Sequence, residues 1–356
     1  MIYLDYQATT PLASEARAAM LRHLDNGEGT GFGNPHSPHR LGRQAKAAVE
    51  AARDKVAALL PSGGRVIFTG NACEAINLAM RGAGTSGPIA ISAIEHAAVM
   101  DTAEALGRRH LLSTDADGIC DPAQDIPEGT GMIAVMQVNN EIGVIQPNTD
   151  WLKTARDKGA LLLTDAVQSY GKMPVEPADM IAISAHKLYG PKGIGALWVR
   201  DAVELDPQIT GGLQEGARSG TLSPALVAGF GAAAELAGQR MEEDAAHMES
   251  LWRRARELFS DWTLNGSDTA RWKGNLNIRK EGVDVARLMS DCRDVMFSAG
   301  SACASGSGKT SHVLKAIGLT DAQAKSSIRL GFGRYTSMDD IERAAAAIQA
   351  ATKEQA

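Results

Sequence analysis

The sequence predicts an α/β protein: a mostly parallel sheet with helices on both faces, followed by a smaller α+β unit. Three observations predict it. Short apolar runs alternate with amphipathic stretches from about residue 45 to about residue 200, the pattern of strands joined by crossover helices. From Ser223 to about Phe259 the chain is rich in Ala, Glu and Arg, with no proline after Pro224, which reads as one or two long helices leaving the sheet. Beyond that point short strands and helices mix without a repeating unit.

The elements follow in order. Arg43 to Leu60 has helical periodicity and stops at Pro61-Ser62-Gly63-Gly64, residues that break helices. Val66-Ile67-Phe68 is a short strand, Ala72 to Arg81 a helix, Pro88 to Ser92 a strand and His96 to Arg109 a helix. Met132 to Val138 reads as a strand, Trp151 to Lys158 as a helix and Ala160 to Thr164 as a strand. The apolar run Met180 to Ile183 is another strand. Ile194 to Val199 follows after the turn Tyr189-Gly190-Pro191-Lys192-Gly193. In the last part of the chain, Asn275 to Ile278 and Ile328 to Leu330 are strands, and Val283 to Asp291 and Met338 to Ala351 are helices.

Composition narrows the function. The chain has 356 residues, 44% of them hydrophobic, and a formal net charge of −6. No apolar run reaches membrane-spanning length, and Met1-Ile2-Tyr3-Leu4-Asp5 lacks the basic and apolar regions of a signal peptide. No basic block stands out, which argues against a nucleic-acid partner. The four cysteines, Cys73, Cys120, Cys292 and Cys303, form no C-x-x-C pair. Neither a metal site nor a disulfide framework is expected, and a reducing, cytoplasmic setting fits.

The chemistry is concentrated where strands end, the edge at which open α/β sheets bind ligands. Lys187 lies in Ser184-Ala185-His186-Lys187 and Asp165 in Thr164-Asp165-Ala166-Val167-Gln168, each just past an apolar run. A lysine amine paired with a carboxylate suits pyridoxal phosphate: the lysine forms a Schiff base and the carboxylate keeps the pyridine nitrogen protonated. A surface lysine and a helix-capping aspartate are the plain alternative. Thr69-Gly70-Asn71-Ala72-Cys73-Glu74 is a strand-to-helix turn of the kind that holds phosphate on backbone N–H groups, although many such turns bind nothing. His96, in Glu95-His96-Ala97, can stack on a flat ring and shuttle protons, or simply start a helix. The amides of Asn139-Asn140 can donate to a phenolate oxygen or serve a turn. The glycine-rich run 211–221 is a mobile or ligand-facing loop. Cys303 sits among Ser298-Ala299-Gly300-Ser301-Ala302 and Ala304-Ser305-Gly306-Ser307-Gly308. These residues are too small to build a core, so the thiol reads as reactive and reachable.

With these motifs in hand the chain resembles the pyridoxal-phosphate-dependent cysteine desulfurases of the class V aminotransferase group. The resemblance runs through Tyr3-Leu4-Asp5-Tyr6-Gln7-Ala8-Thr9-Thr10-Pro11, Gly33-Asn34-Pro35 and the asparagine pair 139–140. It continues through the segments around Asp165 and Lys187, Arg218-Ser219-Gly220-Thr221, Gly300-Ser301-Ala302-Cys303 and Ser327-Ile328-Arg329. It implies the fold type I architecture: a large domain over 14–240 with a mostly parallel seven-stranded sheet, and a small domain from 1–13 and 241–356 carrying the catalytic-cysteine loop. It further implies that Lys187 binds the cofactor covalently and Asp165 pairs with the pyridine nitrogen. Gln168 bonds the ring hydroxyl with Asn140 nearby, and His96 stacks on the ring as a catalytic residue. Ala72, Cys73, Ser184 and His186 hold the phosphate, with Thr221 reaching it from the other subunit of a homodimer. Arg329, with Asn34 as a lesser candidate, binds the substrate carboxylate. Cys303 takes the sulfur of L-cysteine as a persulfide, releases alanine and passes sulfur to an acceptor protein, an iron–sulfur scaffold or another sulfur carrier. Selenocysteine lyases and transaminases share the scaffold, and the Cys303 loop favours sulfur chemistry over transamination without separating sulfur from selenium. Two departures from the family stand out. Cys73 takes the place of the usual threonine. The chain also ends soon after the Met338–Ala351 helix, where housekeeping bacterial members carry a longer tail that resembles a scaffold-docking site, which argues against that docking mode here.

Overall fold

The computed structural model describes residues 1–25, 31–212, 214–300 and 310–355. Its centre is a seven-stranded sheet in the order Gly64–Thr69, Gly195–Arg200, Met180–Ser184, Leu161–Asp165, Met132–Ala134, Ile89–Ser92 and Arg109–Leu112. Only Gly195–Arg200 runs antiparallel to its neighbours; the other pairings are parallel. Both faces are covered, which is why these strands read as continuous apolar runs rather than as alternating ones. The two-residue pleat still sorts them. Phe68, Leu162, Ile181 and Ile183 pack on one side with residues of the helices Arg40–Ala57 and Pro224–Leu258. Ile67, Leu163, Ala182 and Leu197 pack on the other with those of Ala72–Gly82 and Ala97–Ala105.

Pro224–Leu258 is a single helix of 35 residues, started by Ser223, whose side chain accepts from Leu226 N, and by Pro224 in the first turn. It crosses Arg40–Ala57 closely: a Cβ at Gly231 would lie 2.7 Å from Ala52 Cβ, so the crossing requires glycine. Its last turns supply Met248, Leu251, Trp252 and Ala255 to a separate hydrophobic cluster. That cluster is built on the antiparallel strands Ser298–Ala299, Ser327–Gly331, Asn275–Arg279 and Thr263–Leu264 and on the helices Val285–Asp291 and Met338–Lys353. The N-terminus joins it. Ile2–Tyr3 pairs with Val295–Met296 in parallel, and Ile2 and Leu4 are buried there.

Two expectations are corrected. The helix expected to reach Arg109 ends at Ala105, and Arg109–Leu112 is instead the edge strand of the large sheet. Gly107, at φ +64°, takes the left-handed conformation that stops a helix. The strand expected to run to Val138 ends at Ala134. Past it Asn139 turns the chain, its side-chain oxygen accepting from Glu141 N at 2.8 Å and Ile142 N at 2.9 Å, a local bond that competes with the ladder. Among the described residues no helix is long and apolar enough to cross a membrane.

Candidate active site

Asp165 is the last residue of its strand, and Lys187 closes the short 3-10 turn Ala185–Lys187 after the neighbouring strand Met180–Ser184. Because Asp165 pairs with Ala182 across parallel strands, both side chains emerge at one carboxyl edge. Lys187 Nζ donates to Gln7 O at 2.5 Å and to Ala8 O at 2.7 Å. Tyr189 then turns the chain away with a left-handed φ of +67°, rare for a bulky residue. The turn is pinned by Tyr189 N donating to Thr10 Oγ1 at 2.7 Å and by Arg334 N donating to the tyrosine hydroxyl at 2.6 Å.

These residues open into a cavity of about 320 Å³. At one end stands the first turn of the Ala72–Gly82 helix. Asn71 caps it by accepting from Glu74 N at 3.0 Å, and the Glu74 carboxylate reaches back to Gly70 N at 2.7 Å. Ala72 and Cys73 therefore face the cavity at the positive end of the helix. Gly195 allows this approach, since a Cβ there would lie 2.9 Å from Ala72 N. Ser184 and His186 line the same end. Ser184 Oγ is buried with no hydrogen-bond partner among the described residues. His186 Nδ1 lies 3.1 Å from Thr9 Oγ1, and burial, reinforced by Lys187, Lys192 and Lys172, pulls its pKa down to about 4. A neutral imidazole and an unpartnered hydroxyl at a helix N-terminus are donors in want of an anion.

His96, Asp165 and Gln168 line the middle of the cavity. His96 caps the helix Ala97–Ala105, its Nδ1 accepting from Ala98 N at 3.1 Å; in the neutral ring the proton is therefore on Nε2. Asp165 accepts from Val167 N at 2.9 Å. Burial raises its pKa, against His96, the Val167 N–H and Lys187, which favour the anion. Gln168 Nε2 donates to Gln7 O at 3.0 Å. At the far side Arg329 is fully buried. Its Nη2 donates to Asp5 Oδ1 at 2.6 Å and to Ser298 Oγ at 3.2 Å, and its Nη1 to Asn140 O at 3.0 Å. Its Nε has no partner among the described residues.

The cavity thus unites Ala72, Cys73, His96, Asn140 and Asp165 with Gln168, Ser184, His186, Lys187 and Arg329. Two expected residues are elsewhere. Asn34 is exposed and accepts from His36 N at 2.9 Å. Thr221 is exposed ahead of the long helix. Cys303 lies outside the described residues. Gln7, Ala8 and Asn71 also line the cavity without having been singled out. The first two fall within the Tyr3–Pro11 motif, so that segment held the signal. The residues fit pyridoxal phosphate: the unpartnered Ser184 hydroxyl beside a helix N-terminus for its phosphate, a buried carboxylate for its ring nitrogen, and an amine beside them.

A family model described as Aminotransferase class-V matches residues 2–344. The chain belongs to the class-V aminotransferase family. Within it the chain is 40% identical to a protein named cysteine desulfurase IscS from Rickettsia rickettsii (strain Iowa), over 96% of this chain and 89% of that one. The Rickettsia bellii (strain OSU 85-389) protein of the same name is likewise 40% identical with the same coverage. Among solved structures, a NifS-like protein from Rickettsia africae ESF-5 superposes with a TM-score of 0.89 at 28% identity, covering 99% of both chains. A structure described as SspA in complex with cysteine superposes with a TM-score of 0.79 at 32% identity, covering 95% of this chain and all of the other. Class-V aminotransferases of this type use pyridoxal phosphate, in agreement with the donor set.

One buried acid beside the site gives a stability prediction. Glu95 Oε1 accepts from Ser92 Oγ at 2.6 Å and Met136 N at 2.7 Å, while Oε2 has no partner among the described residues. Burial pushes its pKa from 4.5 to about 8, with a smaller push from Asp165. Between those values the unfolded chain has released this proton and the folded chain keeps it. Rising pH therefore favours unfolding through that window, and the loss levels off above it. Glu95→Gln lacks this titration. Its stability relative to the wild type is expected to improve from pH 5 to pH 8 by on the order of a few kcal/mol, read by denaturant unfolding at both pH values. A difference that stays constant would refute it.

Proposed function

We propose that this class-V aminotransferase is a cysteine desulfurase that takes sulfur from L-cysteine, leaves alanine, and carries the sulfur on Cys303 for an acceptor protein. The observation that carries this reading is the single cavity in which Lys187 and Asp165 meet the buried guanidinium of Arg329. An amine and a carboxylate suit the cofactor, and the guanidinium suits an amino-acid carboxylate. The desulfurase names of the relatives support the same choice.

Bound pyridoxal phosphate supplies an electron sink. In this reading Ala72, Cys73, Ser184 and His186 hold its phosphate, and Thr221 of a second copy completes that grip in a homodimer. Asp165 keeps a proton on the ring nitrogen, Gln168 and Asn140 face the ring hydroxyl, and His96 stacks on the ring. Arg329 orients the substrate through its carboxylate, with Asn34 a secondary contact. Lys187 holds the cofactor at rest and, once freed, takes the α-proton. The Cys303 thiolate then attacks the substrate sulfur. The S–S bond forms as the Cβ–S bond breaks, and the bonding pair stays with carbon, which is protonated and leaves as alanine.

Residues 14–240 are taken as the cofactor domain and 1–13 with 241–356 as the smaller one. The supply of Arg329 by the second hydrophobic unit supports that division. The acceptor is an iron–sulfur scaffold or another sulfur carrier, in the cytoplasm. The direct test is incubation with L-cysteine and a reductant: alanine and sulfide in equal amounts are expected. Alanine without sulfide, or neither product, would overturn the reading.

Cys73 provides a further expectation. Its thiol is a weak donor where a hydroxyl would be a good one, and a dianionic phosphate beside it opposes thiolate formation. Cys73→Thr is expected to bind the cofactor more tightly by roughly 0.5–1.5 kcal/mol, a typical net hydrogen bond, and to retain desulfurase activity. Thiol reagents should label Cys73 only after cofactor removal. Fast labelling with cofactor bound would contradict this.

A further inference from the structure

Lys172 has no part in the function described so far, yet its side chain is bonded to Gln168, a residue of the cavity wall. Its Nζ donates to Gln168 Oε1 at 3.1 Å. It forms no ion pair among the described residues, and Gln168 is its one hydrogen-bonding partner there. The side chain approaches from behind, lining a small neighbouring pocket with Tyr6, Thr10, Tyr189 and Asp244. Asp244 does not neutralise it, since that carboxylate is held by Arg334 Nε at 2.9 Å and Nη2 at 2.7 Å.

The contact settles a choice that glutamine otherwise leaves open. An amide can present either its oxygen or its NH2 to a ligand. An ammonium can only donate and a carbonyl can only accept. With Lys172 on one side and Gln7 O, 3.0 Å from Nε2, on the other, the Gln168 amide has a single orientation. Gln7 O is also the acceptor of Lys187 Nζ. A continuous chain therefore joins two cations: Lys172 Nζ, the Gln168 amide, Gln7 O and Lys187 Nζ. We propose, on the basis of the function above, that Lys172 is a positioning residue for the cofactor: it fixes the NH2 of Gln168 toward the ring and sets a second positive charge behind the Lys187 end of the site.

The electrostatics follow from the neighbours. The ionisable groups around Lys172 are Tyr6, Tyr189 and Asp244 in its own pocket and Lys187 and His186 from the turn. Asp165 and His96 face Lys187 on the cavity side. Burial, with a contribution from Lys187, brings Lys172 down to about 7. A like charge disfavours protonation of its neighbour, so the charged form of Lys172, which predominates below about pH 7, makes the nitrogen that joins Lys187 to the cofactor easier to deprotonate.

The test is a pH titration of the cofactor absorbance in holoenzyme, with cofactor affinity measured in parallel. Lys172→Met is expected to raise the absorbance midpoint by about one pH unit and to release the cofactor several-fold more readily. Lys172→Arg, which keeps a charged donor, should stay near the wild type. Lys172→Gln can still donate to Gln168 but carries no charge. It should keep the affinity and shift the midpoint, and it serves the same purpose if Lys172→Met does not fold. An unshifted midpoint in both neutral variants, or an equal shift in Lys172→Arg, would overturn the proposal. A wild type that takes up no pyridoxal phosphate is a different result: it would overturn the functional reading and this one with it.

Discussion

Lys187→Ala is expected to abolish covalent cofactor attachment and to lower turnover of L-cysteine by roughly 10⁴-fold, the upper end of what a positioned acid–base group supplies. Two separate losses combine. The substitution removes the amine that tethers the cofactor, and it removes the base for the α-proton. The protein should still fold, because Lys187 sits on a turn at the sheet edge and not in either hydrophobic face. Gln7 O keeps Gln168 Nε2 as a donor, and Ala8 O, which loses Lys187 Nζ, lines an open cavity where water can replace it. Asp165 loses one of the positive charges that favour its anion, so its carboxyl in the empty variant should titrate higher still. Borohydride reduction of the wild type followed by peptide mapping checks the assignment. The pyridoxyl group should be found on Lys187. Lys172 is the informative alternative, being close by and able to lose its proton near neutrality; label there would sink the assignment of Lys187.

What could be read from the sequence, and what could not, divides by the range of the contacts involved. The Asp165 and Lys187 strand ends were legible because each motif abuts its own apolar run, and parallel pairing of neighbouring strands does the rest. The helix start at Ala72 was legible from a similarly local pattern, a glycine between a strand and an amphipathic helix. The edge strand Arg109–Leu112 was not: exposed Leu111 and basic Arg109 and His110 lack the buried-strand pattern, and a sheet edge needs none. Long-range contacts were not legible either. Gln7 reaches the site because its side chain donates to Gly274 O at 2.8 Å, across 267 positions of sequence. Asp5 meets Arg329 across 324. Nothing local in Tyr3–Pro11 says where that segment will lie. Lys172 was invisible for a subtler reason. Its role depends on which way one amide points, and that is fixed only when two partners from different elements are both in place.

Cys303→Ala is expected to leave cofactor binding intact and to reduce sulfide release to background. The described residues on either side of position 303 are hydrogen-bonded to residues of the site and its surroundings. Before it, Ser298 is paired with Arg329 across the small sheet, and its hydroxyl donates to Asp5 Oδ1 at 2.8 Å. Gly300 N donates to Ser327 O at 2.7 Å. After it, Ser311 Oγ donates to the buried carboxylate of Glu141 at 2.5 Å, and His312 Nε2 lies 2.8 Å from Glu95 O, next to His96. In the proposed function the steps before sulfur transfer rest on Lys187, Asp165 and Arg329, none of which the substitution changes. The variant should therefore still change its absorption spectrum when L-cysteine is added, while the product never forms. In the wild type, mass spectrometry after brief exposure to L-cysteine should find one added sulfur on the Cys303 peptide. A Cys303→Ala enzyme that releases sulfide at the wild-type rate would remove Cys303 from the mechanism. Sulfur on Cys73 instead would move the acceptor to the phosphate end of the cavity, where a bound phosphate should exclude it.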